Sequence, residues 1–502
     1  MSNNFIKTIG IVAIVTVVAK VLGFVREAFV AAYFGTSSAT DAFFVANIVP
    51  NILFTALGLA IASGIIPLYA EQKEKSEAGA KKFVSAVTSI LLLFSILVVI
   101  LGMIFAPQIA KLMAPGFNKE QLELATELTR IMIPAFSFMI MSAIATGVLH
   151  TNKQFLAPAM VSIPNSVIVI FAMILFGQTY GVVGLTVASL LGIISQFIIQ
   201  LPQFSQHGIR LNFAFNEQGD EIKRTFYAFM PIIIASLAVQ LNAVVDRMVA
   251  SGLDEGSISA LNYANKLMYL PLSIIIAALI DIFYPTLVDN AKKGDAFLNT
   301  VRSGMKTIFY FSVPILIVML ISREELVAIA FQRGEFQEDS LNKTVNAFVF
   351  YTIGMVFIAL REYFIRCFFA LKKTKVTMYT SIIAVLINII LSIILSKYLA
   401  LGGIALASSI SFFLQAVILY VWLNKDLKKE NKLAVKELLK VVVLTSLTFI
   451  VPSILVDIAS ITQDLIQIIL VTIVTYLTFI GLGILLRINE FQYFINKILK
   501  RT

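Results

Sequence analysis

Apolar stretches of about 20 residues recur from one end of this chain to the other, each long enough to cross the hydrocarbon core of a bilayer as a helix. Backbone polar groups in hydrocarbon must be satisfied within their own segment, so the chain is expected to fold as a helical bundle in lipid. Composition agrees. Of 502 residues, 59% are hydrophobic and 14% charged, with mean hydropathy +0.91, whereas a soluble domain carries roughly 25% charged residues on its wetted surface. No long polar block interrupts the apolar stretches, which argues against a separate soluble domain. The net charge of +10 comes from residues between those stretches, where membrane topology explains it and nucleic acid is not required. Cys367 is the only cysteine, which excludes an intrachain disulfide or a paired-cysteine metal site. His150 and His207 are isolated and suit surface or interfacial positions. The opening MSNNFIK lacks a small-residue cleavage site, so the apolar run after it is expected to be kept as a first span.

Hydropathy places fourteen spans near 5–33, 41–70, 83–106, 122–149, 155–177, 181–202, 224–252, 257–289, 298–321, 343–370, 376–396, 402–424, 437–456 and 464–486. With both termini in the cytoplasm, inner ends and loops would hold 26 of the 39 Lys and Arg. Outer loops would hold only Lys111, Lys119, Arg323, Arg333, Lys343 and Lys397, and the other seven lie within spans. That bias fixes the expected orientation and supports the span count, because one missed helix would scramble the alternation. The C-terminal INEFQYFINKILKRT sets Ile488, Phe491, Ile495 and Ile498 on one face beside Lys497, Lys500 and Arg501, the pattern of an interfacial amphipathic helix.

Two segments of the chain resemble each other. REAFVAAYFGTSSATDAF (26–43) aligns without a gap on RMVASGLDEGSISALNYA (247–264), and VGLTVAS (183–189) matches GGIALAS (402–408). Six helices per repeat bring the second copy into the membrane from the same side as the first. The expected architecture is therefore an all-α polytopic membrane protein of two parallel six-helix lobes, with substrate between them. The first lobe spans 1–205, an interfacial linker 206–223 and the second lobe 224–425. Residues 426–502 add two helices and the amphipathic tail. The outer ends near Gly35 and Gly256 are expected to approach in one state and part in the other.

Charges within spans are costly, roughly 2.5–3.5 kcal/mol each at the bilayer centre, so each is expected to face a cavity or a partner. The first span carries Thr16, Lys20, Gly23, Arg26 and Glu27 on one polar arc, and the eighth carries Asn262, Asn265, Lys266 and Tyr269 on one face. Two cationic stripes suit a diphosphate, which needs several donors. The competing reading is that these cations pair with Glu27, Asp41 or Asp246 and join helices. Arg361 and Glu362 are neighbours expected to point to different sides, Arg366 can snorkel to the inner interface, and Arg130 is expected to pair locally with Glu123 or Glu127. Asp246, Asn388, Ser392 and Ser408 fall at similar depth in the outer half and could hold a hard cation of the Na⁺ kind. Their alternative is ion pairing of Asp246 with Arg247 or Lys266 and interhelical hydrogen bonds among the rest.

KVLGFVREAFVAAYFGTSSATDAFFVANIVPN (20–51) resembles the signature of MurJ/MviN-type lipid II flippases, in the multidrug/oligosaccharidyl-lipid/polysaccharide exporter superfamily. The resemblance continues through VVDRMVASGLDEGSISALNYANKLMYLP (244–271), AFQRGEF (330–336) and GGIALASS (402–409). It implies a flippase of the bacterial cytoplasmic membrane that moves an undecaprenyl-diphosphate-linked peptidoglycan precursor, lipid II, to the outer leaflet by alternating access. Peptidoglycan biosynthesis, cell wall biogenesis and cell shape follow from it, as do contacts with cell-wall synthesis proteins. It maps cavity cations onto Lys20, Arg26 and Lys266, and acidic positions onto Glu27 and Asp41. Lys20 and Lys266 stand where many members have arginine, giving a point charge in place of a bidentate fork. Phe54 and Thr55 replace a basic pair common in the second helix.

Two other functions share this architecture, a flippase for another polyprenyl-linked oligosaccharide and an ion-coupled multidrug exporter. Export of organic cations favours acidic cavities, and the stripes here are cationic. Without a P-loop, metal-ligand cluster or nucleophile motif, an enzyme is not expected. The energy would come from a Na⁺ or H⁺ gradient, the membrane potential or the substrate gradient.

Overall fold

The computed structural model describes residues 3–61, 66–207, 240–426, 435–459, 463–486 and 488. The described residues are helical with short connections. In order they form α1 (Asn3–Phe34), α2 (Ser38–Ala60), α3 (Ile66–Lys75), α4 (Glu77–Ile104), α5 (Ala106–Met113) and α6 (Lys119–Met132). Next come α7 (Ala135–Thr151), α8 (Leu156–Met160), α9 (Ser162–Ile198), α10 (Leu201–Ser205), α11 (240–250) and α12 (Ser257–Asn290). The last are α13 (Asp295–Ile321), α14 (Arg323–Phe331), α15 (Glu338–Ala370), α16 (Thr374–Asp426), α17 (Val435–Ala459) and α18 (Asp464–Leu485). Most of the 206–223 linker, the start of the seventh expected span and most of the amphipathic tail lie outside the described residues.

Among the described residues, seven helical stretches are long and apolar enough to cross a membrane by length and composition. Two of them reverse. Straight, the 37 residues of α9 would reach about 55 Å and the 53 of α16 about 80 Å, against a hydrocarbon core of roughly 30 Å. Gly181 (φ 53°, ψ −144°) and Ala400 (φ 46°, ψ −124°) break them. Beyond Ala400 the partners step outward symmetrically: Gly403 against Leu395, Asn388 bonded to Ser408, Gln415 bonded to Ser381. Gly192 against Asn165 shows the same antiparallel return about Gly181. Each long helix is therefore a hairpin, and each turning residue stands two positions ahead of its VGLTVAS or GGIALAS motif.

Side-chain placement is the reverse of a soluble protein's. α4 buries Ser85, Thr88, Ser89 and Ser95, while Leu93, Leu97, Ile100 and Ile104 face outward. α18 buries Gln467, Thr475 and Gly483 and exposes Leu465, Ile469, Ile473, Leu477 and Ile480. Small and polar residues at helix contacts with apolar residues outside are the distribution that a lipid solvent selects.

Packing divides the chain into two compact units. One comprises Met1–Asn262 with Arg333–Ser340, the other Tyr263–Gln332 with Leu341–Thr502. Within the first, α2 packs on α6 and α7, α1 runs along α9, and Tyr69, Phe83, Phe136, Ile140 and Phe204 share an apolar cluster. The described part of the seventh expected span, α11, belongs to this unit. Within the second, α17 and α18 pack on each other and on α13, closing over Val313, Ile317, Val356, Leu444 and Phe479.

Candidate functional site

In the first unit the polar arc of α1 opens onto a cavity of about 450 Å³. Thr16, Lys20, Gly23 and Arg26 line one wall, and Pro158, Ser162, Asn165 and Ser166 line another. The wall opposite the cations is thus supplied with hydroxyls and an amide. Gly23 leaves room, since a Cβ there would meet nothing within 4 Å. Asn165 is held by close packing on Gly192 across the α9 hairpin. Lys20 is exposed, and Arg26 donates from Nη2 to Glu27 Oε1 at 2.8 Å with its side chain 25% exposed. Arg26 therefore pairs with Glu27 and lines the cavity at once. Glu27 itself is buried behind it.

Asp41 does not line this cavity. It is 3% exposed, and both carboxylate oxygens accept backbone N–H groups at the start of α12: Gly256 N at 2.8 Å and Ser259 N at 2.7 Å. A carboxylate here satisfies orphan amide donors and meets the positive end of the helix dipole. The same face holds Thr36 against Gly256, the Ala32 carbonyl against Gly334, and the Glu335 carbonyl against Gly35, with Glu335 N donating to the Ala32 carbonyl at 2.8 Å. Positive φ at Gly35 (56°), Gly256 (83°) and Gly334 (57°) permits these approaches, which a Cβ would block. Gly35 and Gly256 lie at this contact, with Thr36 as the direct neighbour of Gly256. Asp41→Ala is expected to lower thermal stability by about 1–3 kcal/mol for each orphaned amide. Asp41→Asn, keeping one acceptor oxygen, should lose less. Identical melting of wild type and both variants would refute the clasp.

Lys266 lies in the second unit, exposed on α12, and makes no hydrogen bond or ion pair with another described residue. Asn262 is half-buried, and its Nδ2 has no partner among the described residues. The candidate cation residues divide between the units. Asn388 Nδ2 donates to Ser408 Oγ at 2.9 Å and Ser392 Oγ to Asn388 Oδ1 at 3.4 Å, all three fully or nearly buried in the second unit. Asp246 belongs to the first unit and is half-buried.

Two sequence expectations are corrected. Arg361 and Glu362 do not diverge, because their long side chains fold back to pair at 2.5 Å. Arg130 donates to the Met103 carbonyl at 3.4 Å, and Glu123 turns to Lys119 at 3.9 Å, in place of the expected local pair. Arg366 lies over the Phe369 ring at 5.7 Å. Phe54 joins an apolar cluster, and Thr55 Oγ1 donates to the Asn51 carbonyl at 2.8 Å. His207 is bonded to Gln154 (3.3 Å), and burial together with Lys73 and Lys81 lowers its pKa.

The family profile described as "Lipid II flippase MurJ" matches residues 30–476. A probable lipid II flippase MurJ of Buchnera aphidicola subsp. Acyrthosiphon pisum is 28% identical over 426 residues, covering 83% of each chain. A solved lipid II flippase MurJ in an inward closed conformation superposes with TM-score 0.81 at 26% identity, covering 93% of this chain and 97% of that one. An inward-facing multidrug resistance MATE family transporter of the MOP superfamily shares the fold at TM-score 0.69 and 15% identity, over 82% of this chain and 96% of its own.

Proposed function

The chain belongs to the lipid II flippase MurJ family, and from that premise we propose that it carries lipid II from the inner to the outer leaflet of the bacterial cytoplasmic membrane by alternating access. It is a multi-pass membrane protein of a transport family. The observation that carries the reading is the cavity that Lys20 and Arg26 share with Asn165 and Ser166. Charge at that depth is costly in lipid and useful toward a diphosphate. The polar faces read in the sequence assign Lys20, Arg26 and Lys266 to the diphosphate, with Asn262 as a further donor. Glu27 orients Arg26, and Asp41 acts on the outer closure.

Fourteen spans with both termini in the cytoplasm remain the assigned topology, supported by the charge bias of the loops and the two hairpins. Two repeated six-helix lobes plus two added helices are supported by the matching positions of Gly181 and Ala400. The apolar surface of α17 and α18 is assigned to the polyprenyl tail and surrounding lipid. Reconstitution in vesicles with lipid II on one leaflet tests the function, the expected result being its appearance on the other leaflet only when the protein is present.

Coupling to Na⁺ is assigned to Asp246, Asn388, Ser392 and Ser408. Carboxylate, amide and hydroxyl oxygens are the donors a hard cation takes. Transport should rise with Na⁺ in the wild type and lose that dependence in Asp246→Asn. Equal Na⁺ dependence in both would leave Asp246 with a purely structural part, and a wild type indifferent to Na⁺ would return the coupling to H⁺ or the membrane potential.

A further inference from the structure

The geometry points to a second subsite for the same cargo. Arg361, Glu362, Tyr269 and Phe412 bind the uncharged glycan of the headgroup, an N-acetylated sugar, and not its diphosphate. This rests on the flippase reading above.

All four residues lie in the second unit. Arg361 stands nine residues ahead of the end of α15 at Ala370, about 13 Å along the helix, well inside an apolar segment. An arginine and a glutamate there are expensive unless they face water or a ligand. Nothing in the helical scaffold calls for them, since the corresponding turn of the first repeat, 139–143, reads Met-Ile-Met-Ser-Ala. Their side chains remain 22% and 28% exposed.

The chemistry of the cluster differs from that of the α1 arc. Arg361 Nη2 donates to Glu362 Oε1 at 2.5 Å, so the pair is neutral overall. A diphosphate or a peptide carboxylate approaching Arg361 would meet Glu362 as well. The guanidinium lies 5.0 Å above the Phe412 ring, and Tyr269 is within electrostatic reach of both charges. Arg361 Nε is buried and has no hydrogen-bond partner among the described residues. Left so, a buried donor is costly, and a ligand carbonyl would satisfy it. The matching ligand is neutral, with an acceptor for Nε, hydroxyls for the Glu362 carboxylate, and a C–H face to lie on an aromatic ring. An acetamido sugar has all three.

The test measures binding to the full-length protein in detergent by native mass spectrometry, with three lipids as probes. They are undecaprenyl diphosphate, its disaccharide-bearing form without peptide, and lipid II. Arg361→Gln and Glu362→Gln should each weaken the two sugar-bearing lipids by about tenfold or more, as expected for losing a hydrogen bond to a charged group. Undecaprenyl diphosphate should hold within about twofold, which also reports that the variants are folded. Phe412→Leu, a milder change, should weaken the same two lipids. An equal loss for all three lipids, or no loss, overturns the subsite. A loss confined to lipid II overturns the sugar assignment in favour of the peptide. A wild type that binds none of the three refutes the flippase reading itself.

Discussion

Arg26→Ala combined with Lys266→Ala is expected to abolish lipid II transport while the protein stays in the membrane at wild-type levels. Each cation would contribute a hydrogen bond to a charged oxygen, about 1.5–3 kcal/mol, so losing both weakens headgroup binding by roughly two to four orders of magnitude. Lys266 is exposed on its helix, and its removal breaks no hydrogen bond or ion pair with another described residue. Arg26 is different, because truncating it removes an ion pair from the buried Glu27 carboxylate. Two further variants separate charge from pairing. Arg26→Lys keeps a cation in the cavity and should retain part of the activity. Arg26→Gln with Glu27→Gln keeps a hydrogen-bonded pair but no cation, and should fail like the alanine variant. Vesicle transport with immunoblotting of membrane fractions reads all three. Full activity in the double alanine variant would remove the diphosphate role from these residues.

Thr36→Cys with Ser340→Cys should form a disulfide under mild oxidation and stop transport completely in the crosslinked fraction, with recovery on reduction. The two hydroxyl oxygens are 2.8 Å apart, and Thr36 N also donates to Ser340 Oγ at 3.1 Å. That separation brings the two Cβ atoms near the span a disulfide bridges. Gly35 and Gly256 themselves are unsuitable, since a side chain at either would strike backbone within 2.4 Å. Native Cys367 is buried and does not compete. Alternating access requires the outer ends to separate once per cycle, so a covalent tie across them holds the cargo inside. Undiminished flux through the crosslinked protein would mean that Thr36 and Ser340 travel together, and that the exit lies elsewhere.

The parts legible in the sequence were those written in side chains. Apolar length pointed to helices, which the described residues form, and Lys20, Gly23 and Arg26, which helical periodicity sets on one arc, line one wall of the cavity. Asp41 was legible as an acid at a membrane end but not as a clasp, because its partners are the backbone amides of Gly256 and Ser259, and an amide leaves no trace in residue identity. The Arg361–Glu362 pair was hidden for another reason. Helical periodicity describes where Cβ atoms point, and side chains as long as these fold back across that direction. Arg130 shows the same limit, finding a carbonyl on another helix before a carboxylate on its own.

The two hairpins turn at Gly181 and Ala400, the same place in each half. Glycine takes the left-handed geometry freely, but alanine holds it against steric strain of about 1–2 kcal/mol. A change of residue at the tip has left the turn where it was. The flanking motifs VGLTVAS and GGIALAS keep their distance from the bend while the residue at its tip differs, so the course of the chain there tolerates a letter that its geometry disfavours.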